Sequence, residues 1–454
     1  MMGSANGNGD VMTVESQRGS LGKGRRFAIL GGGPGGLAAA AFIQQRGLGD
    51  VVLYERSDRL GGLQHSLEFD GRHFDVGTFL YSEDHGLLQA FPHLREIMVP
   101  IEYRPKSITP KGSVVNYPFS LKGYVRDEGA LSTMLAAGEL LYSKLRFFRR
   151  ASVADFARYY MGGRVYRQTG LQHYIHRLHD VPDCDLDVYF AQTRLHTIQR
   201  LSFRSLLMRA ASRGYRKQKR SEFRDRLVRP AAGFPFMYDT IEDELIKQGV
   251  TINKGCQVDH VTSLSPGFEI TTPAGTEVFD ELISTVPVPV MKRLLGDKTV
   301  SSVENRDLIS LFYEGNISNK SSVYFNFTFE AKWKRVTVFS RFYGGSPDYF
   351  TVEITTDRAT DEQVQQVARQ FEDHAARYQL VDGSPKLLGH FITPRAYPVF
   401  RAGQMGRVEA EKEQLVRQGI RLLGRQGNFD YIISDRVAQK AERLIDQMAT
   451  EAVR

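Results

Sequence analysis

The 454-residue chain holds only two cysteines and one tryptophan. Cys184 and Cys256 lie far apart and without metal-ligand spacing, which argues against a disulfide framework and fits free thiols in a reducing cytoplasm. No apolar run approaches the roughly 20 residues needed to cross a bilayer, so no spanning helix is expected. The opening stretch 1–24 is rich in Gly, Ser and Asn, lacks the apolar centre of a secretion signal, and reads as a disordered tail. No Ser-His-Asp set, cysteine pair or metal-ligand constellation stands out. His173, His176 and His179 recur at helical spacing, but without a carboxylate-flanked motif they read as the polar surface of a helix, and no metal is expected.

What is present is an ordinary globular composition, 41% hydrophobic and 25% charged, in a chain long enough for two or three domains. The most informative run starts at Phe27-Ala28-Ile29-Leu30, a short buried strand. Gly31, Gly33, Pro34, Gly35 and Gly36 then let the backbone turn tightly against a diphosphate, and Ala38 to Ala41 open a helix whose N-terminal N–H groups face it. Such a turn also occurs for packing reasons alone, so the residues downstream decide. Val51-Val52-Leu53-Tyr54 reads as a second parallel strand, and Glu55 at its end is placed to accept ribose hydroxyls and to repel a 2′-phosphate. Arg56 follows, and then a second glycine pair, Gly61-Gly62. Side chains there would collide with a pyrophosphate and an isoalloxazine, which favours FAD over NAD.

Further strands are expected at Val250–Asn253, Gln257–Val261, a hairpin around Phe268–Thr276, and Asp280–Pro287. The pattern is helical from Leu131 to Arg226, strand-like from Ser322 to Thr356 with a run Val323–Phe329, and helical again from Gln363 to Tyr378. The expected architecture is α/β: a discontinuous Rossmann-like FAD domain (25–100, 228–300 and 400–454), a largely helical cap (101–227), and a mixed or antiparallel substrate sheet with a helix (301–399). The net charge of +8 is concentrated between Arg200 and Arg229, where eleven Arg or Lys face only Glu222 and Asp225. That block suits a solvated helix or loose lid, a surface for acidic phospholipids, or a cationic wall for a polyphosphate; no nucleic-acid reader motif accompanies it.

Near the C-terminus, Leu422-Leu423-Gly424-Arg425 and Asn428-Phe429-Asp430-Tyr431 lead through Asp435 into a helix, again placing backbone donors beside a cofactor. Together with the glycine loop, Glu55, Gly61-Gly62, Asn116-Tyr117-Pro118-Phe119 and Arg395-Ala396-Tyr397-Pro398-Val399, this signature resembles the UDP-galactopyranose mutase branch of the FAD-dependent amine oxidase and protoporphyrinogen oxidase-like superfamily. The resemblance runs from about Arg26 to Met448 and is loose in the middle.

The resemblance implies non-covalent FAD, with a backbone amide near Val258 at the adenine and Gly424, Arg425 and Asp435 beside the isoalloxazine and its ribityl chain. It implies two arginines that grip a nucleotide-sugar diphosphate: Arg194, and Arg335 after Asn326-Phe327-Thr328, with Arg341 as an alternative register. Guanidinium suits a diphosphate because it stays charged and presents a planar fork. Tyr397 and Tyr431 resemble tyrosines that hydrogen-bond the diphosphate or border the flavin. The implied reaction is a pyranose–furanose ring rearrangement through a reduced-flavin N5 adduct, with NAD(P)H as a transient reductant. The chain departs from the family where His176–Asp180 stand for a tryptophan motif and Gly77-Thr78-Phe79 for a histidine near the flavin. Ordinary flavin redox chemistry on an amine or a sugar alcohol therefore stays open, as does a flavin-binding scaffold without chemistry. A cytoplasmic enzyme is the expected setting, with peripheral contact to an acidic membrane through 200–229 as one alternative for the basic block.

Overall fold

The computed structural model describes residues 24–119, 121–147, 150–194, 225–430 and 432–453. The opening tail, most of the basic block and Tyr431 lie outside the described residues.

The strand Arg25–Leu30 sits at the centre of a five-stranded sheet because Phe27 to Leu30 are buried on both faces, as a parallel strand between helices must be. Across the sheet the order is Arg421–Leu422, Glu281–Ser284, Arg25–Leu30, Gly49–Tyr54 and Thr251–Asn253, and every pairing is parallel. The helix Pro34–Gln45 leaves the central strand with Pro34 at its start and buries Gly35 through Ile43. A helix this apolar must be covered on its far side too, and the C-terminal helix Ser434–Val453 covers it through Ala438, Ala441, Ile445 and Met448. A three-stranded antiparallel sheet, His260–Ser263, Phe268–Thr272 and Gly275–Phe279, flanks this domain. The strand expected from Gln257 begins only at His260, so Val258 lies in the preceding loop, half-buried against the sheet.

The second sheet has seven strands in the order Lys386–Val399, Glu304–Glu314, Tyr349–Thr356, Arg335–Val338, Val323–Asn326, Lys106–Ile108 and Val114–Asn116. It is antiparallel except where Val323–Asn326 meets Lys106–Ile108. The last two strands come from the range expected to be cap, so 101–227 contributes to the sheet as well as to the helices. The strand expected through Phe329 stops at Asn326, whose side-chain oxygen accepts from the Thr328 N–H at 3.0 Å and turns the chain. Along Tyr349–Thr356 successive side chains point to opposite faces. Phe350, Val352 and Ile354 join the core under the helix Asp361–Arg377. On the other face Thr351 Oγ1 donates to the Asp75 carbonyl at 2.8 Å, so Glu353 and Thr355 look toward the cofactor domain.

Four short helices, Val153–Met161, Gly163–Gln168, Leu171–His179 and Val188–Arg194, close the cap over Val323, Phe325 and Phe327. His173 and His176 are exposed, as a polar helix face would be. His179 is not: it is fully buried, with its ring edge-on to Phe190 at 4.4 Å, because it lies on the inner side of the helix with Ile175 and Leu178.

Candidate functional site

Three glycine-bearing segments meet at the carboxyl end of the central strand. Gly31 has φ +104, and a Cβ there would stand 2.2 Å from Thr285 Oγ1; a Cβ on Gly36 would stand 2.0 Å from the Gly31 carbonyl oxygen. Gly36 accepts no other residue without moving backbone, and Gly31 holds a φ that side chains rarely adopt with Thr285 in the way. The Gly61 N–H donates to the Gly32 carbonyl at 2.9 Å, which lays the second glycine pair along the first loop. At Gly33 the space is different: a Cβ would meet only Gly62 Cα, at 4.0 Å. Gly35 brings in the third segment, since its Cβ position lies 3.7 Å from Gly424 Cα. The helix Pro34–Gln45 has no acidic residue in its first turn to oppose an anion. This cradle fits a dinucleotide diphosphate. Glu55 Oε2 accepts from the Gly32 N–H at 2.7 Å and Oε1 from the Ser57 N–H at 2.8 Å, which fixes the carboxylate beside the loop with lone pairs left for hydroxyls. Arg56 projects from the strand end as an exposed side chain.

From Gly424 the chain enters the four-residue helix Gly424–Gly427, and its next residue, Arg425, reaches the substrate sheet. The Arg425 guanidinium lies 4.8 Å and the Lys334 ammonium 3.7 Å from the centre of the Tyr397 ring. Lys334 also donates to Thr355 Oγ1 at 2.8 Å and stands 3.9 Å from Glu353. Arg335 grips Glu353 with two parallel bonds, Nε to Oε1 at 2.6 Å and Nη2 to Oε2 at 2.7 Å. Burial alone would lower the Arg335 pKa, but the adjacent Glu353 carboxylate raises it above the usual arginine range. Glu353 is fully buried and its Oε1 also accepts from Thr78 Oγ1 at 3.3 Å. The segment Gly77-Thr78-Phe79 thereby joins the centre, held from behind by Asp75, whose carboxylate takes the Arg229 Nε–H at 2.7 Å in a fully buried pair.

The structure thus gathers Gly31, Gly33, Pro34, Gly35, Gly36, Glu55, Gly61, Gly62 and Gly424 in one place, and Arg335, Tyr397 and Arg425 in an adjoining one. Arg341 is elsewhere, paired with Asp348 at 2.9 Å. Asp435 Oδ1 accepts from the Gly86 N–H at 2.9 Å and from Gln439 Nε2 at 2.9 Å, fixing the start of the helix Gly86–Ala90. Arg194 ends its helix, which is tied to the C-terminal segment where Tyr189 Oη donates to Asp430 Oδ1 at 2.8 Å. Burial would raise the Asp430 pKa, but hydrogen bonds from Lys440 and Tyr189 hold it below the ordinary aspartate range. Glu353 is the residue that sequence reasoning passed over; its one signal is a lone carboxylate in the apolar run Tyr349–Ile354. Among the described residues no group of three or more His, Cys, Asp or Glu could hold a metal ion.

A parallel sheet with a glycine cradle at its carboxyl edge, beside a second and mostly antiparallel sheet, is the arrangement of a dinucleotide-binding α/β protein. The model of the flavin-containing amine oxidoreductase family matches residues 34–377, and the chain belongs to that family. Its cofactor is accordingly a flavin, FAD. The chain is 43% identical over 58 residues to a carotenoid 3,4-desaturase of Haloarcula japonica, covering 13% of this chain and 12% of that protein. It is 37% identical over 71 residues to a 1-hydroxycarotenoid 3,4-desaturase of Flavobacterium sp., covering 15% and 14%. The matched stretch is therefore only a small part of either relative's length. Among solved structures, a reduced UDP-galactopyranose mutase superposes with a TM-score of 0.73 at 18% identity, covering 95% of both chains. A candidate protoporphyrinogen oxidase from Exiguobacterium sp. 255-15 gives 0.70 at 18%, covering 94% and 99%. Putrescine oxidase bound to putrescine gives 0.61 at 14%, covering 94% and 99%. At such identities the likeness is one of fold.

Proposed function

We propose that this flavoenzyme binds a nucleotide-sugar and rearranges its sugar ring. The observation that carries the reading is a cluster of three cations next to the cradle: Lys334 and Arg425 lie against the Tyr397 ring, and Arg335 meets Lys334 on Glu353. A diphosphate needs such neutralisation when it leaves a reacting carbon, and cations already fixed by the fold give it without reorganisation. Arg335 spends Nε and Nη2 on Glu353, so Nη1 is the group it turns to a ligand. Tyr397 offers a phenol on a half-buried ring, and Arg194 is the second guanidinium of this reading, supplied from the cap. The flavin, when bound, supplies a nucleophilic ring nitrogen in its reduced form and accepts hydride in its oxidised form.

Titrating the reduced holoprotein with UDP-hexoses and following the flavin spectrum tests this reading. A saturable change, weakened about tenfold or more in Arg335→Ala with FAD retained, is expected, and sugar-ring isomers should accumulate in the product. No spectral response to any nucleotide-sugar overturns it.

Glu353 favours a second reading. A buried carboxylate that offsets one of the three cations leaves a site less selective for anions, which suits hydride removal from an amine or alcohol. Peroxide release on adding such a compound, together with indifference to UDP-hexoses, would select that chemistry. Reduction by NAD(P)H, followed as bleaching of the flavin, tests the proposed electron source.

A further inference from the structure

The helix Leu121–Arg146, broken at Gly129 where φ is +81, carries its apolar side chains on the wrong side for a core. Leu131, Met134, Leu135, Leu141, Tyr142 and Leu145 are each between 52% and 80% exposed. At 100° per residue these six fall within an arc of about 120°, the width of an ordinary buried stripe. Ala136 and Ser143, which face the protein, lie on the opposite side and are 4% and 1% exposed. The helix is therefore amphipathic twice over, with a small-residue inner face and a large apolar outer one.

The C-terminal end of this stripe is cationic and aromatic. Lys144 stands 3.9 Å from the Tyr159 ring centre, and Arg150 packs on the same ring at 4.7 Å. Arg146 and Arg158 approach the Phe147 ring at 5.6 and 5.5 Å. Four cations held on aromatic rings beside an exposed Leu/Met/Tyr stripe are what a lipid headgroup layer accepts: apolar side chains enter the acyl boundary while tyrosines and cations stay at its surface. A second copy of this chain is the competing occupant, and the oligomeric state tells the two apart.

We infer that the outer face of Leu131–Leu145 is a docking surface for an anionic phospholipid bilayer, on which the enzyme lies peripherally. This surface is distinct from the basic block 200–229 and independent of the substrate reading above.

The test is flotation of the full-length holoprotein with vesicles of phosphatidylglycerol and phosphatidylcholine, against pure phosphatidylcholine. Binding to the anionic vesicles is expected, falling at least tenfold in Leu141→Ser/Leu145→Ser while FAD content and melting temperature hold. In Leu145→Trp, emission should shift to the blue when vesicles are added, over the constant signal of Trp333, which is 1% exposed. Absence of flotation overturns the inference. So does flotation that the serine variant leaves intact, which would assign lipid binding to the basic block. A concentration-dependent dimer abolished by the serine variant overturns it as well, and would make the stripe an interface between copies.

Discussion

The cofactor cradle and the cationic centre beside it are built in opposite ways. The cradle is made of backbone: Gly31, Gly33, Gly35 and Gly36 act through what they lack, and they bring Gly62 and Gly424 close to the loop. The centre is made of long side chains: Lys334, Arg335, Glu353 and Tyr397 meet through the pairing of one sheet, and Arg425 reaches them from the helix Gly424–Gly427. A backbone site tolerates no added atom, whereas a side-chain site tolerates substitution in proportion to the charge it leaves uncompensated.

The sharpest break between the two should come at Gly36. Its replacement by Val places atoms where even a Cβ lies 2.0 Å from a carbonyl oxygen, so we expect colourless protein and a loss of about 3 kcal/mol or more, read from flavin absorbance and thermal melting. If Gly36→Val purifies yellow, the cradle is not where the flavin lies. Next in size is Glu353→Gln. It leaves Arg335 without its carboxylate in a buried position and should cost about 3 kcal/mol, yet the folded fraction should stay yellow. Replacing both members, as Arg335→Met/Glu353→Leu, should recover most of that loss, and flavin release from either variant would mean the two regions are one.

A pH scan separates them further. His374, 4% exposed, accepts from Trp333 Nε1 at 3.2 Å, and burial followed by the nearby Arg177 and Arg377 charges lowers its pKa from 6.5 to about 4. A depressed pKa means that the unfolded chain takes up the proton first. Stability from this histidine is whole above pH 6.5 and drains away as pH falls toward 4, by about 1.4 kcal/mol per pH unit. His374→Gln should flatten that slope in melts followed by Trp333 fluorescence, leaving the slopes from buried His65 and His85, also lowered to about 4 by burial. An unchanged slope would show that His374 is not the titrating group. The smallest effect belongs to Arg335→Lys: charge is kept beside Glu353, but the two-bond fork on it is lost and no Nη1 remains for a ligand, so nucleotide-sugar binding should weaken about tenfold with a stability loss of about 1 kcal/mol. Equal binding by both would remove Nη1 from the account.

The same contrast explains what could be read in advance. The cradle was legible because its glycines, Glu55 and the flanking apolar strands are contiguous, so spacing alone carries the geometry. Gly424 was legible as a strand-to-helix turn, although its meeting with Gly35 was not. Arg335 and Tyr397 could be named only through likeness to known enzymes, and nothing local to either announced Glu353 as their counterpart. Asp435 was named through the same likeness, and nothing local to it announced that its carboxylate also fixes the helix Gly86–Ala90. His179 looked superficial because three-residue spacing gives a face without saying which way that face turns.

The strand Arg421–Leu422 closes the cofactor sheet at the far end of the chain, next to a strand that finishes at Ser284. During synthesis that sheet edge stays bare while five of the seven strands of the second sheet, from Glu304 to Val399, are made. An unpaired edge invites other chains, so nascent copies need either a chaperone or rapid folding of the later domain to survive the wait. Holding of flavin by a nascent chain is correspondingly a late event, since Gly424 follows every strand of the second sheet in the chain.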